Sequence, residues 1–397
     1  MPELSYFDDT HRMVRDTVRS FVQREILPYV NDWEEAGEFP RELYKKAADA
    51  GILGIGAPEK WGGSGLGSLD VAILQEELGR SLCPVPFLST AVLGAQALIE
   101  AGSRDQCERF LPELAQGRIR IALAQLEADA DWGPSGIQMA ATAAGDHYQI
   151  SGVKTFVPDG PHADFLLVPV RVTPSPASPD SGITLLLVET STPGVRIRPI
   201  AFNEPSRPVA EITFDGVQVP LANRLGAEGQ AWPLLASLHT HGRVALCAEL
   251  CGAAEKVLAL SVDYAKSREQ FGQPIGRFQA IQHKCADMLV KSEGIRSAAY
   301  YAAWSLQEAE PDIASTACLA KAYSAEAYSD IAGAGIQIHG GLGFTWEQDL
   351  HLYFKHAQAA DFAWGDRAHH LALAADQAFD GLELVFGQLV PTCIGNA

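Results

Sequence analysis

The segment YAKSREQFGQPIGRFQAIQHKCADM, residues 264–288, divides into an aromatic-cationic turn and the start of an amphipathic helix. Gly272, Pro274 and Gly276 stop one helix and begin another. The break presents Arg268, Gln270 and Phe271 at an exposed junction. A guanidinium three residues before a flat ring suits an anionic, aromatic ligand such as a dinucleotide. An ordinary surface turn has the same spacing, so the turn gains meaning only with a second glycine-rich break, QIHGGLGF at 337–344.

At 397 residues the chain exceeds a single core, and two or three domains are expected. Apolar residues make up 47% and charged ones 20%, the composition of a water-soluble globular protein. The formal net charge of −19 argues against a nucleic-acid partner and against an anionic membrane surface. An anionic ligand must then be held by a local cationic site. The seven cysteines, Cys83, Cys107, Cys247, Cys251, Cys285, Cys318 and Cys393, form no C-x-x-C pair or metal-ligand spacing. Cys247 and Cys251, one helical turn apart, are expected as small core residues, and a reducing, cytoplasmic compartment fits. The start, MPELSYFDDTHRM, carries acids where a signal peptide is basic. No apolar run approaches the ~20 residues that span a bilayer, so no membrane insertion is expected.

Outward from the turn, the chain reads as three blocks. Residues 1–118 carry helical periodicity: a first helix capped by Asp8, Asp9 or Thr10, a second from Pro40 to Gly51, and three more at 68–82, 84–101 and 103–116. The loop APEKWGGSGLGS (57–68) lacks the Lys-Ser/Thr ending of a phosphate loop and reads as a connector that packs Trp61. Residues 119–228 switch to period two, with six or more short strands and turns at Gly145-Asp146, Pro158-Asp159-Gly160, Pro174 to Pro179 and Pro193-Gly194, which suggests a barrel or sandwich. Residues 229–397 return to helices at 230–267, 277–308, 312–338, 346–358 and 366–384; four long helices with short connections make a bundle. The fold class is therefore mainly α with a β-barrel middle domain. Adjacent His369 and His370 point apart on a helix, and no metal site is expected.

This order and these motifs resemble the acyl-CoA dehydrogenase family over essentially the whole chain. REQFGQPI followed by QAIQHKCADM is similar to the family's C-terminal signature, QIHGGLGF with Trp346-Glu347 to its second nucleotide-contacting stretch, and PEKWGGSG to its N-terminal loop. The resemblance implies an N-terminal α-domain, a β-barrel and a C-terminal four-helix bundle, with FAD bound between barrel and bundle. It implies that Arg268 meets the FAD diphosphate across a dimer interface, that Phe271 and Gln279 line the adenine side with Gln270 among the cofactor-binding residues, and that Gln337, Gly340 and Gly341 approach the diphosphate from the other chain. Glycines let backbone N–H groups come close to phosphate, and Arg supplies the charge. The implied chemistry is α,β-dehydrogenation of an acyl-CoA in fatty acid or steroid side-chain metabolism. A carboxylate takes the α-proton, and electrons pass to an electron-transfer flavoprotein.

The chain departs from the family around the reacting centre. The usual catalytic Glu position is Trp364, and the alternative one, on the long helix before an Arg, is Gly242. The Thr expected at the flavin ring is Leu126, the ring-shielding Trp is Phe156, and the Thr expected at flavin N5 is Pro158, which has no donor. Two main readings stay open. In one, a relocated base serves a working dehydrogenase, with Asp366, Asp361 and His241 as candidates, in a homotetramer. In the other, this is the divergent subunit of an α2β2 heterotetramer of the type known for steroid and other bulky acyl-CoA substrates, to which the FVPDG strand and the Trp-Gly-Asp stretch are similar. A flavin oxidase of the same fold would need Asp where Trp364 stands. A purely structural protein is disfavoured by the retained Arg268, Gln337 and double glycine.

Overall fold

The computed structural model describes residues 7–29, 40–172, 178–204, 206–379, 382–385 and 388–391. Cys393, the first six residues and positions 174–177 of the predicted turn lie outside the described residues. Helix α1 (Asp9–Phe21) begins where Asp8 accepts the His11 N–H at 3.0 Å and donates its own N–H to His11 Nδ1 at 3.1 Å, a reciprocal cap. Its Val14, Val18 and Phe21 stripe is buried. Helices α2 (Arg41–Asp49) and α3 (Ser68–Gly79) follow.

The helix predicted over 84–101 divides into a π-helix, Phe87–Gly94, and α4 (Ala95–Ala101). Side chains explain the wider turn. Thr90 Oγ1 donates to the Ile121 carbonyl and accepts the Ile121 N–H, both at 3.1 Å, and Ser89 Oγ donates to Asp159. The segment is thus pinned to the middle domain. Helix α5 (Arg104–Ala115) completes this block.

The strands are β1 (Ile121–Leu123), β2 (Ala141–Ala144), β3 (His147–Pro158), β4 (Phe165–Arg171), β5 (Ile183–Glu189), β6 (Val195–Ile200), β7 (Val209–Pro220) and β8 (Arg224–Leu225). They form two four-stranded sheets, β1-β4-β5-β8 and β2-β3-β7-β6, rather than a closed barrel. The sheets enclose a common core that includes Tyr148, Ile150, Leu166, Val168, Ile212 and Phe214. One isolated bridge, Ala140 with Arg171, joins their margins, so the hydrogen-bonded ring does not close. The period-two block opens with only the short β1, because past Leu123 the chain pairs through single bonds such as Thr155 N to Leu126 O at 2.8 Å.

Helix α6 (Trp232–Ser267) is followed by the hairpin β9 (Glu269–Gln270) and β10 (Gln273–Pro274). Helices α7 (Gln279–Gln307), α8 (Ile313–His339), α9 (Leu350–Phe362) and α10 (Arg367–Phe379) follow. Helix α8 packs on all the others. A single apolar core joins the N-terminal helices to this bundle. Where α3 crosses α6, a Cβ on Gly79 would meet the Glu249 carbonyl at 2.0 Å and one on Gly252 the Glu76 carbonyl at 1.7 Å, so two backbones touch there. Among the described residues no helix is long and apolar enough to cross a membrane.

Candidate functional site

The Arg268 turn closes as a two-residue hairpin. Phe271 (φ 55°) and Gly272 (φ 78°) both take left-handed backbone, the geometry of a primed turn. Phe271 is 91% exposed as a result. Tyr264, in the last turn of α6, stacks on His339, in the last turn of α8, at 4.1 Å. That contact brings QIHGGLGF to the same end of the bundle as the hairpin. Arg268, Gln270, Gln279, Gln337, Gly340 and Gly341 are all exposed there, and the Arg268 side chain makes no ion pair among the described residues. Gly340 (φ 62°) and Gly341 have nothing within 4 Å of where a Cβ would stand, which leaves their backbone open to a ligand. These residues fit the dinucleotide end of a flavin cofactor: one free guanidinium, one exposed ring and an open glycine backbone.

At the other end of α6 lies a cavity of about 610 Å³. Leu88, Ser89 and Leu93 of the π-helix form one wall, and Gln125, Leu126, Phe156, Pro158 and Val209 of the middle domain another. Ala359, Ala360, residues 362–366 and His369 close it. The three residues expected at a flavin ring, Leu126, Phe156 and Pro158, line this cavity, and they do so with apolar groups. The residues fit a flavin at its adenosine end and provide little of the usual hydrogen bonding at its ring end.

Trp364 sits in left-handed backbone (φ 64°) and is 8% exposed. Its indole packs on Trp132 at 5.2 Å and on His239 at 5.6 Å. It also lies over Gly242, where a Cβ would meet Trp364 Cζ2 at 2.6 Å. The two alternative positions at which a catalytic Glu was expected thus face one another, and the indole of one packs on the bare backbone of the other. His239 is caged by Trp132, Trp232 and Trp364, and its Nε2 donates to Gln125 Oε1 at 2.6 Å. Burial, aided by the Arg243 charge, pushes its pKa down to about 3, so it is neutral.

The three base candidates separate. Asp366 lines the cavity and caps α10 by accepting the His369 N–H at 2.8 Å. Asp361 ends α9 outside the cavity, with its carbonyl bonded to Lys321 at 3.0 Å. His241 faces away, onto a second pocket between α3, α4 and α6, and lies 3.7 Å from Glu100. Helical periodicity explains the last case: His239 and Gly242, three residues apart, both face Trp364, and His241 does not.

A polar wall of the cavity has no counterpart in the motif reading. Arg207 donates to both Glu249 oxygens at 2.8 Å, and His356 Nε2 lies 2.9 Å from Glu249. Burial raises the Glu249 pKa, but Arg207 and His356 overcome it and hold the carboxyl near 2. Glu204 accepts from the backbone of Ser206 and Arg207, at 2.9 and 3.1 Å. No spacing links residues 204, 207, 249 and 356, so only buried charge at isolated positions could have pointed to them.

Elsewhere, Glu76, Cys251 and Glu255 lie close enough together to suggest metal ligands. Arg80 and Arg296 contact both carboxylates, Arg15 contacts Glu76, and burial pushes the Cys251 thiol up. The arginines already supply the counter-charge.

Three family models match in order: acyl-CoA dehydrogenase N-terminal domain (8–118), middle domain (123–217) and C-terminal domain (229–379). The chain is 36% identical over 344 residues to the acyl-CoA dehydrogenase FadE27 of Mycobacterium tuberculosis, covering 82% of this chain and 85% of that one. It is 33% identical over 359 residues to the probable acyl-CoA dehydrogenase YngJ of Bacillus subtilis, covering 89% and 94%. Among solved structures, butyryl-CoA dehydrogenase from Megasphaera elsdenii superposes with a TM-score of 0.88 at 28% identity, covering 95% of this chain and all of that one. Helical domain, sheet domain and helical domain follow in the same order along both sequence and fold, and the chain belongs to the acyl-CoA dehydrogenase family of oxidoreductases.

Proposed function

We propose that this chain is the divergent subunit of a heteromeric, FAD-dependent acyl-CoA dehydrogenase. It lends the Arg268 hairpin to a cofactor shared with a neighbouring subunit, and the neighbour supplies the base that takes the α-proton. The observation that carries the reading is the packing of Trp364 on Gly242. An indole cannot accept a proton, and it leaves no room for a carboxylate on α6.

Distance supports the sharing. Gly242 and Arg268 stand about 39 Å apart along α6, farther than one extended dinucleotide reaches. The Arg268 turn and this chain's own cavity therefore serve different cofactors. When bound, FAD would accept the β-hydride. This chain's part is to orient: Arg268 neutralises diphosphate charge, Gly340 and Gly341 offer backbone N–H groups, and the apolar cavity excludes water. An α2β2 tetramer with an electron-transfer flavoprotein as acceptor follows from the same reading.

The test is the 450 nm absorbance and acyl-CoA turnover of the pure chain, alone and co-expressed with a homologue that carries the Glu. The chain alone is expected to be nearly colourless and inactive. Full flavin occupancy with turnover by the chain alone would overturn the proposal.

A second reading is favoured by one observation, the position of Asp366 on the cavity. If Asp366 is a relocated base, Asp366→Asn abolishes turnover while FAD stays bound. If the chain is non-catalytic, the variant is silent, because Asn still caps α10.

A further inference from the structure

A cleft of about 710 Å³ between α1, α3, α6 and α7 has no role in the dehydrogenase reading. It shares no lining residue with the Trp364 cavity. Glu255, on its α6 wall, stands about 20 Å along that helix from both Gly242 and Arg268. Six cationic side chains and four carboxylates line the cleft, in a chain of formal net charge −19. The positive excess is therefore local, against the trend of the whole molecule.

The acids of the inner wall are already committed. Glu76 accepts from Arg80 at 2.7 Å, from Arg296 at 3.4 Å and from the Tyr300 hydroxyl, and lies 3.6 Å from Arg15. Glu77 takes two bonds from Arg19, at 2.6 and 3.0 Å, and Glu255 contacts Arg80 and Arg296. Burial raises the Glu76 pKa, but the three guanidiniums around it outweigh burial and hold it below its ordinary value, so it is ionised. Four guanidiniums thus face three carboxylates. The imbalance shows in the hydrogen bonding. The Nε–H groups of Arg15, Arg80 and Arg296 are closed off from solvent, and none has an acceptor among the described residues. Arg296 is only 8% exposed, and a buried donor left unpaired is costly. Asp16, the fourth carboxylate of the lining, is exposed and pairs with none of the three. Lys256 lines the cleft as well and makes no ion pair among the described residues.

We propose that this cleft binds a phosphate-class oxyanion. A guanidinium fork matches phosphate geometry, and a tetrahedral oxyanion offers acceptors on several sides. The donors come from three helices: Arg15 from α1, Arg80 from the end of α3 and Arg296 from α7. Phe7, Val22 and Leu27 line the same cleft and give apolar surface to an organic body beyond the charged head. The ligand is either free inorganic phosphate or a phosphomonoester.

Calorimetric titration of the full chain with inorganic phosphate tests the site. An Arg268→Ala background keeps the hairpin from contributing, and sodium chloride at equal ionic strength is the comparator. Saturable binding of one phosphate per chain is expected, with a rise in unfolding temperature of about 2–3 °C at ten times the Kd. Arg15→Met is expected to weaken binding about tenfold and Lys256→Met about threefold. Lys256→Met breaks no ion pair, so its unfolding temperature in phosphate-free buffer should match the parent's, and its weaker binding is not a folding defect. Crystals soaked in tungstate are expected to carry an anomalous peak beside Arg15 and Arg296. Absence of saturable binding, an equal response to chloride, an unchanged Kd in both variants or an empty cleft overturns the site. Phenyl phosphate separates the sources: binding tighter than that of inorganic phosphate assigns a phosphomonoester, and equal or weaker binding assigns the free ion.

Discussion

A Cβ built on Gly242 would lie 2.6 Å from Cζ2 and 2.8 Å from Cε2 of Trp364, so the bare backbone at one position is what admits the indole at the other. Gly242→Ala is therefore an overpacking change and is expected to cost about 1–3 kcal/mol. Trp364→Phe should relieve most of that cost in the double variant, and urea unfolding of the four-member cycle measures the coupling. Simple additivity would show that the indole moves aside freely.

Trp364→Glu places a carboxylate at the family's usual position. The loss of the buried indole should cost about 3–5 kcal/mol in stability. Exchange of the acyl-CoA α-proton with deuterated solvent should nevertheless rise by about 10² or more, because a positioned base now exists. Unchanged exchange in a folded variant would mean that this cavity does not receive the thioester.

Arg268→Ala removes an exposed guanidinium that makes no hydrogen bond or ion pair among the described residues. Thermal stability of the isolated chain should not change. FAD retention by the assembled complex should weaken by about 1.5–3 kcal/mol, read from flavin release on dilution. Equal retention would remove Arg268 from the cofactor site.

His239 and His370 are both pushed by burial from the ordinary 6.5 to about 3. The unfolded chain binds these protons first, so their contribution is fully present above pH 6.5 and is lost as pH falls towards 3. The slope is about 1.4 kcal/mol per pH unit for each histidine. Glu249, held near 2 from an ordinary 4.5, adds a further loss below pH 4.5. His239→Gln should flatten the pH 6.5–4.5 segment by one histidine in urea titrations. An unaltered slope would mean that His239 is not buried neutral.

Much of this architecture is legible in local pattern. Period-3.6 and period-2 segments separate the helical and sheet blocks, because side-chain direction repeats within a few residues. The Phe271-Gly272 turn and the Gly340-Gly341 break are written in backbone preferences that act at a single residue. The loss of a carboxylate at 242 and 364 is also plain from the residues themselves. What fills that loss is not: Trp364 meets Gly242 only because the 363–366 loop, tied to Lys321, lays it on α6. His241 reads as a neighbour of the reacting centre, yet the helix turns it onto another pocket. Arg207, Glu249 and His356 come from three separate stretches of the chain and meet only in the folded structure. Dihedral preference and hydrophobic period act over one or two turns, so the sequence determined the elements, their order and the exposed hairpin. Side-chain packing and the pairing of buried charge act between elements, and these left the two sheets unclosed and decided what occupies the space where a catalytic carboxylate would stand.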